Sequence, residues 1–299
     1  MSVLRLATRR SPLALTQAES VLARLASVGC DADLVLVETG GDQHADVALA
    51  TIAGQGVFAV EVQQAVLRGR ADVAVHSAKD LPAETPQGLS FAGVSERRDA
   101  ADVLVGRSLA GLGPGATVAT GSPRRRALLL ERRPDLRVVE LRGNMARRLA
   151  AAGVDGVDAI VAAAAALERL DEMERVAERL DPSWFIPQVG QGAIALEVRD
   201  DDVATRAIVD DVLDPVASLA VAAERAFLRE LGLGCSIPAG AHATVVNAVV
   251  TLSAVMVAVD GSASVRESQR DADADALGRR LASRLRDELG GGDLPGWRT

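Results

Sequence analysis

The sequence contains a single lysine, no tyrosine, four phenylalanines and two tryptophans in 299 residues. With so few aromatic rings, it lacks the stacking platforms that normally accompany arginine clusters in RNA-binding proteins. Two cysteines and three scattered histidines make neither a disulfide framework nor a metal centre. No apolar run is long enough to span a bilayer, and the first residues, MSVLRLATRRSP, contain no signal-peptide stretch. We therefore expect a cytoplasmic protein without a metal, nucleic-acid or membrane partner.

The sequence does contain enough apolar material for a large core, since 48% of its residues are hydrophobic. Its length predicts two or three domains. The net charge of −8 is unevenly distributed, because residues 121–150 hold nine arginines and only three acidic residues. Such a basic segment in an acidic protein indicates a discrete anionic ligand, and the alternative for any single arginine is a solvated helix face. The acidic surface favours a monomer.

The first half of the chain alternates between strand and helix patterns. Its strand patterns cover residues 3–7, 33–40 and 71–78. Ser11 and Pro12 suit the N-cap and first turn of a helix that runs to Val28. Lys79 and Asp80 directly follow the third strand pattern. This half of the chain therefore predicts an α/β domain with polar residues at its strand ends.

A similar pattern follows in the second half, where Ser122 and Pro123 again begin a helix, with arginines in its first turn. Strands that alternate with helices predict parallel α/β sheets, and two such sheets predict two domains. Because ligands bind beyond the carboxyl ends of parallel strands, we expect the polar residues at strand ends and helix starts to surround one cleft. These residues are Arg9, Ser11, Lys79, Asp80, Ser122, Arg124 and Arg142.

The pattern changes from Asp214 onwards. An amphipathic helix leads into the glycine-rich loop GLGCSIPAG (232–240), which is followed by alternating strands and a final helix. This region predicts a small α+β domain. Cys235 lies in the loop between glycines; an inert apolar filler is the usual role of a lone cysteine, but such a loop suits an attachment point better.

Six motifs occur in order along the chain. They are ATRRSPLAL (7–15), VHSAKDLP (75–82), ATGSPRR (119–125), LRGN (141–144), VGQGA (189–193) and LGCSIPAG (233–240). Together they resemble the porphobilinogen deaminase family, also called the hydroxymethylbilane synthases. Each motif alone is weak, but six in order with compatible spacing are specific.

The resemblance implies an α/β fold with two domains like those of periplasmic binding proteins, a central cleft between them, and a small C-terminal α+β domain. The implied boundaries are 1–95 with 191–213, 98–190, and 215–299. It also implies a transferase of tetrapyrrole and haem biosynthesis. Such an enzyme joins four porphobilinogen units, with loss of ammonia, into the linear tetrapyrrole hydroxymethylbilane. The chain grows on a dipyrromethane cofactor bound covalently through Cys235.

The resemblance also assigns site residues. The implied catalytic residues are Asp80, Lys79 and Arg9. The implied cofactor-binding residues are Cys235, Lys79, Asp80, Thr120, Ser122, Arg124, Arg125 and Arg142. The implied substrate-binding residues are Arg9, Ser11, Arg148, Arg169 and Gln191, and no metal is implied.

The chemistry of these residue types suits that reaction. A carboxylate at Asp80 can accept hydrogen bonds from pyrrole N–H groups and relay protons. Arginine binds the acetate and propionate groups of the pyrroles bidentately and stays charged. The ammonium of Lys79 is a compact charge that can approach Asp80 closely and favour its ionised form.

One departure and one rival interpretation accompany the resemblance. Many members of the family have Gly-Lys-Gly where this chain has Gly54, Gln55 and Gly56, which argues against a lid that acts by direct charge pairing.

The two-lobed layout is also compatible with a non-catalytic anion-binding or effector-sensing protein of the periplasmic-binding type. A protein of that kind would need neither Asp80 nor Cys235.

Overall fold

The computed structural model describes residues 3–38, 59–232 and 237–297. Its strands, numbered in chain order, are β1 Leu4–Arg9, β2 Ala32–Val37, β3 Val73–Ser77, β4 Leu89–Arg97, β5 Asp102–Val105, β6 Thr117–Ala119, β7 Arg137–Val139, β8 Ala159–Ala163, β9 Val176–Arg179, β10 Ala193–Arg199, β11 Ala239–Val246, β12 Val249–Val257 and β13 Ser264–Asp271. Its α-helices are α1 Pro12–Ser27, α2 Val60–Leu67, α3 Pro123–Arg132, α4 Met145–Ala150, α5 Ala164–Arg169, α6 Val203–Asp210, α7 Pro215–Leu231 and α8 Ala274–Ser283. A 3-10 turn, Ala78–Asp80, follows β3 directly.

The chain divides into two compact units. The first comprises Met1–Arg98 and Gly192–Ser218, and the second comprises Asp99–Gln191 and Leu219–Thr299. Each unit contains a five-stranded sheet, and the second also contains the three-stranded sheet β11-β12-β13. The predicted α/β fold class is confirmed. The division into three domains stays a prediction.

The two five-stranded sheets have the same arrangement of strand directions, but the reversed strand is the last strand of the first unit and the first strand of the second. The strand order is β2-β1-β3-β10-β4 in the first unit and β7-β6-β8-β5-β9 in the second. In each sheet four strands run in one direction, and the fourth strand in spatial order, β10 or β5, runs the opposite way between two of them. The sheets are therefore mixed, and the expectation of wholly parallel sheets was wrong. A buried strand carries no polar alternation that would indicate its direction.

The helix starts predicted from Ser-Pro pairs are confirmed in both units. The backbone N–H of Ala14 donates to Ser11 Oγ at 3.4 Å, and Pro12 is the first residue of α1. In α3 the N–H of Arg125 donates to Ser122 Oγ, also at 3.4 Å. The side chain of each serine thus satisfies a backbone donor that the helix cannot pair internally.

The core of each unit lies on both faces of its sheet. In the first unit, Leu6 points into a cluster with α1, whereas the adjacent Ala7 points into a cluster with α2. In the second unit, Val118 of β6 packs in a cluster with α3, and the adjacent Ala119 packs in a cluster with residues of α4 and α5. This alternation follows from the two-residue period of a strand.

The three-stranded sheet belongs to the second unit and shares its core. Val255 and Val257 of β12 are fully buried in the same apolar cluster as α3. Helix α8 packs closely on α7, because a Cβ atom at Gly278 would lie only 2.3 Å from the carbonyl oxygen of Ala223. The predicted α+β region from Asp214 onwards is thus observed as a helix, an antiparallel sheet and a further helix.

Candidate functional site

In the first unit, several predicted residues lie at one edge of the sheet. Strands β1 and β3 are parallel neighbours, with Ala7 opposite Ala74, so their carboxyl ends reach the same edge. Arg9 is the last residue of β1, and Lys79 and Asp80 lie in the 3-10 turn that follows β3. All three of these side chains are half-buried. The structure therefore places the three residues predicted to be catalytic at one edge of the first sheet.

The end of β3 is tied to the neighbouring helix. The hydroxyl of Ser77 donates to Oε1 of Gln17 at 2.9 Å, and Gln17 is buried within α1. The hydroxyl of Thr8, at the end of β1, donates to the carbonyl of Ala14 at 3.4 Å. These contacts hold the strand ends on which the turn with Lys79 and Asp80 depends.

A buried polar cluster lies one residue earlier on β3. His76 Nε2 is 3.2 Å from Glu197 Oε2 on β10, and Nε2 of Gln63 on α2 donates to the same oxygen at 2.9 Å. Nε2 of His76 makes no hydrogen bond with a described residue. The bond from Gln63 to Glu197 ties α2 to β10 beside the end of β3.

The second unit presents a corresponding edge. Ala119 of β6 lies opposite Val139 of β7, and both strands run parallel. Thr120 follows β6 and is buried, with its Oγ1 accepting from the N–H of Ser122 at 3.2 Å. Arg142 follows β7, and its Nη2 donates to Glu140 Oε1 at 2.8 Å. A hydroxyl, a helix N-cap and a guanidinium therefore gather at this edge.

Two arginines in the first turn of α3 are buried together on one carboxylate. Nη2 of Arg124 donates to Asp102 Oδ2 at 2.7 Å, and Nη2 of Arg125 donates to Asp102 Oδ1 at 2.6 Å. Asp102 is fully buried, and the two arginines are 2% and 7% exposed. Their donors are largely engaged within the protein, which the sequence did not predict.

Burial and the charges of this cluster shift the pKa values of Asp102 and Arg124. Burial alone would raise the pKa of Asp102, but the charges of Arg124 and Arg125, with a hydrogen bond from Gln191, lower it to about 2. Burial lowers the pKa of Arg124, and Asp102 opposes that effect. Asp102 is therefore ionised across the physiological pH range.

The remaining predicted residues of the second unit occupy three different settings. Gln191 is fully buried, and its Nε2 donates to the carbonyl of Ala100 at 2.7 Å and to Asp102 Oδ1 at 2.9 Å. Arg148 is half-buried, with Nε donating to the carbonyl of Gly143 at 2.7 Å. Arg169 is 8% exposed at the end of α5.

Cys235 and Gln55 lie outside the described residues. Arg9, Ser11, Lys79 and Asp80 belong to the first unit, and the other described candidates belong to the second. The expectation that all of them surround one cleft stays a prediction, as do their individual roles.

Asp102 is the residue that sequence reasoning missed. It is the first residue of the short strand β5, whose four residues are all buried. A charged residue that opens a buried strand is a usable signal, because a buried carboxylate requires a partner. The sequence does not indicate which of the many arginines pairs with it.

The described ranges contain no helix that is long and apolar enough to cross a membrane. Nor do they contain a group of three or more His, Cys, Asp or Glu side chains placed to hold a metal ion.

Comparison with known proteins identifies relatives over nearly the whole chain. A family profile described as porphobilinogen deaminase, dipyromethane cofactor binding domain, matches residues 4–207, and one described as its C-terminal domain matches residues 218–287. The chain is 45% identical to a porphobilinogen deaminase of Acidothermus cellulolyticus, over 95% of this chain and 89% of that protein. It is 43% identical to one from Syntrophotalea carbinolica, over 95% and 92% of the two chains.

Solved structures of lower similarity include a VFT2 domain of Bordetella pertussis BvgS, with a TM-score of 0.43 and 19% identity over 75% of this chain and 91% of that one. A periplasmic substrate-binding protein from Coxiella burnetii matches with a TM-score of 0.44 and 15% identity, over 75% and 97%. The two profiles and the relatives define a class, in which a cofactor-binding region precedes a separate C-terminal domain. The chain belongs to the porphobilinogen deaminase family.

Proposed function

We propose that this protein joins four porphobilinogen molecules head to tail, with loss of ammonia, to form hydroxymethylbilane. Membership of the porphobilinogen deaminase family over 95% of the chain supports this activity. The observation that carries it is the shared edge of the first sheet, where Arg9 ends β1 and the turn Ala78–Asp80 follows β3. A carboxylate at the same sheet edge as two cationic residues suits proton relay next to a pyrrole.

Asp80 is the proposed acid–base residue. A carboxylate accepts hydrogen bonds from pyrrole N–H groups and stabilises positive charge that develops on the ring during the loss of ammonia. Lys79 precedes it in the same turn and supplies a compact cation for a substrate carboxylate. Arg9 and Ser11 bind the acetate and propionate of the incoming porphobilinogen, together with Arg148 and Arg169. Gln191 was predicted to join them, but both of its amide hydrogens are donated within the protein.

The residues of the second unit suit a carboxylate-rich cofactor. Arg124 and Arg125 contribute two positive charges against the single charge of Asp102. Among the described residues, none accepts a hydrogen bond from the buried Nε of Arg124. Such a donor set matches acetate and propionate groups, which guanidinium binds well.

The cofactor in this proposal is dipyrromethane, bound through Cys235. It supplies the free pyrrole carbon from which the product chain is extended. Thr120, Ser122, Arg124, Arg125 and Arg142 would hold its carboxylates, with Lys79 and Asp80 at its reactive end.

The wider organisation follows the same proposal. The chain forms three domains, namely 1–95 with 191–213, 98–190, and 215–299. The protein acts as a monomer in the cytoplasm on a small-molecule substrate.

The test begins with intact mass. The purified protein should exceed the mass of its sequence by two pyrrole units, and Cys235→Ser should abolish the excess. The wild type should consume porphobilinogen and release hydroxymethylbilane, whereas Asp80→Asn should retain the fold and lose turnover. A wild type with neither a mass excess nor turnover would instead support a non-catalytic anion-binding protein.

A further inference from the structure

Asp102 is a fully buried carboxylate that no motif includes, and it makes four side-chain contacts. Its Oδ2 accepts from Arg124 Nη2 at 2.7 Å. Its Oδ1 accepts from Nε and Nη2 of Arg125, at 2.9 Å and 2.6 Å, and from Nε2 of Gln191 at 2.9 Å. Hydrogen bonds to an ionised group are about twice as strong as neutral ones, so the carboxylate orients both guanidiniums.

Backbone carbonyls complete the orientation of each arginine. Nη1 of Arg124 donates to the carbonyl of Ile186 at 2.8 Å, and its guanidinium lies over the ring of Phe185 with 5.7 Å to the centroid. Nη1 of Arg125 donates to the carbonyl of Val161 at 3.0 Å. Neither guanidinium can rotate without breaking contacts to Asp102 and to the main chain.

The cluster is not electrically neutral. Among the described residues, Asp102 is the one carboxylate that contacts either guanidinium, so two positive charges face one negative charge. Placing an uncompensated charge in a buried site is unfavourable. An additional anion would offset the excess positive charge. The two guanidiniums are already oriented in the absence of such an anion.

We propose that Asp102 is a positioning residue, which holds Arg124 and Arg125 in place so that their excess charge is available to the carboxylates of the dipyrromethane cofactor. This inference rests on the proposed function. Asp102 itself does not touch the cofactor, because both of its oxygens are already used by the arginines and Gln191. Pre-organised donors bind a ligand more tightly, since their ordering is complete before binding.

The test compares three variants with the wild type. Asp102→Asn keeps the shape of the side chain and removes its charge, and Asp102→Glu keeps the charge at a shifted position. Val255→Ala is the matched control for stability, because Val255 is fully buried in the same unit and its side chain has no polar group to bond either arginine. For each protein we would measure thermal unfolding, the fraction that carries two pyrrole units by intact mass after incubation with porphobilinogen, kcat and KM.

If Asp102 positions the arginines, Asp102→Asn should carry less cofactor than a variant that is destabilised to a similar degree. We expect the loaded fraction of Asp102→Asn to fall about fivefold or more below that of Val255→Ala at a temperature where both are folded. The loaded molecules should lose about tenfold in kcat while KM changes less than about threefold. Asp102→Glu should recover part of the loading, since it restores an anion to the pair.

Loading of Asp102→Asn equal to that of Val255→Ala would overturn the proposal and leave Asp102 as a structural residue only. If Asp102→Asn does not fold, the same comparison is made with Asp102→Glu, and equal loading of that variant and the control has the same meaning. A wild type that carries no pyrrole units would instead refute the proposed function, so the two failures are distinguishable.

Discussion

The carboxylate of Asp102 accepts two hydrogen bonds from one guanidinium, since Nε and Nη2 of Arg125 both donate to Oδ1, at 2.9 Å and 2.6 Å. The other oxygen accepts from Arg124. The carboxylate is fully buried, so these contacts replace its hydration completely. Its ionisation is therefore coupled to folding.

The first prediction concerns the pH dependence of this coupling. The pKa of Asp102 falls from 3.8 to about 2 in the folded protein, because two arginines outweigh the effect of burial. A group whose pKa is lower when folded stabilises the protein above its unfolded pKa, and this stabilisation is lost as the pH falls through the folded pKa. The shift corresponds to about 2 kcal/mol. The free-energy difference between the wild type and Asp102→Asn should therefore be constant from about pH 7 to 5 and shrink by about 2 kcal/mol towards pH 2.

Urea denaturation at a series of pH values measures this difference. Asp201→Asn is the control, because the Asp201 side chain is 83% exposed and its replacement should change stability little at any pH. A difference for Asp102→Asn that does not vary with pH would contradict the assignment of an ionised, paired carboxylate.

The second prediction concerns Glu224, a fully buried residue of α7. Its Oε2 accepts from the N–H of Gly190 and its Oε1 from the N–H of Ala243, both at 2.7 Å. Glu224→Gln would place an amide NH2 against one of these backbone donors. We expect a loss of about 2–3 kcal/mol in the free energy of unfolding, because a buried backbone N–H and the new amide NH2 would face each other without an acceptor.

Guanidinium chloride denaturation measures this loss, with Glu288→Gln as the control. Glu288 pairs with Arg284 but is 64% exposed, so its replacement should change stability by less than about 1 kcal/mol. Equal effects of the two substitutions would show that the backbone contacts of Glu224 contribute little.

The third prediction concerns the contact between α7 and α8. A Cβ atom at Gly278 would lie 2.3 Å from the carbonyl oxygen of Ala223 and 2.6 Å from Cβ of Ala226. Since both neighbours are helix backbone or short side chains, the helices would have to separate. Gly278→Ala should therefore destabilise the protein by about 1–3 kcal/mol.

Differential scanning calorimetry measures this effect against Gly113→Ala, since a Cβ atom at Gly113 has no neighbour within 4 Å. That control should unfold within about 0.5 kcal/mol of the wild type. An equal melting temperature for both variants would refute close packing of the two helices.

The fourth prediction concerns the only lysine, Lys79. Lys79→Arg keeps the charge but replaces a compact ammonium with a planar guanidinium, which cannot approach Asp80 or a substrate carboxylate in the same way. We expect kcat to fall about tenfold or more with little change in melting temperature. The control is Arg10→Lys, the reverse exchange at an exposed position, which should keep its turnover. Near-normal turnover of Lys79→Arg would mean that the lone lysine is an accident of composition.

Features of the fold that depend on neighbouring residues were predicted correctly, and features that depend on distant residues were not. The Ser-Pro helix starts at residues 11–12 and 122–123 were predicted correctly, because a cap depends on residues within one turn of the helix. The strands β5 and β10 were not predicted, and their insertion into the two sheets reversed the expected parallel arrangement. Both are buried over nearly their whole length, so they lack the alternation by which half-buried strands are found.

The candidate site also has features that depend on contiguous residues and features that depend on tertiary contacts. The sequence by itself determined the family, the helix starts and the placement of Lys79 and Asp80 after a strand, since each depends on contiguous residues. Only the tertiary structure decided that Arg124 and Arg125 are buried on Asp102, more than twenty residues before them in the chain. Which carboxylate a guanidinium pairs with depends on how the strands and helices pack against each other. That packing depends on the burial of apolar surface throughout the core, which no short stretch of sequence specifies.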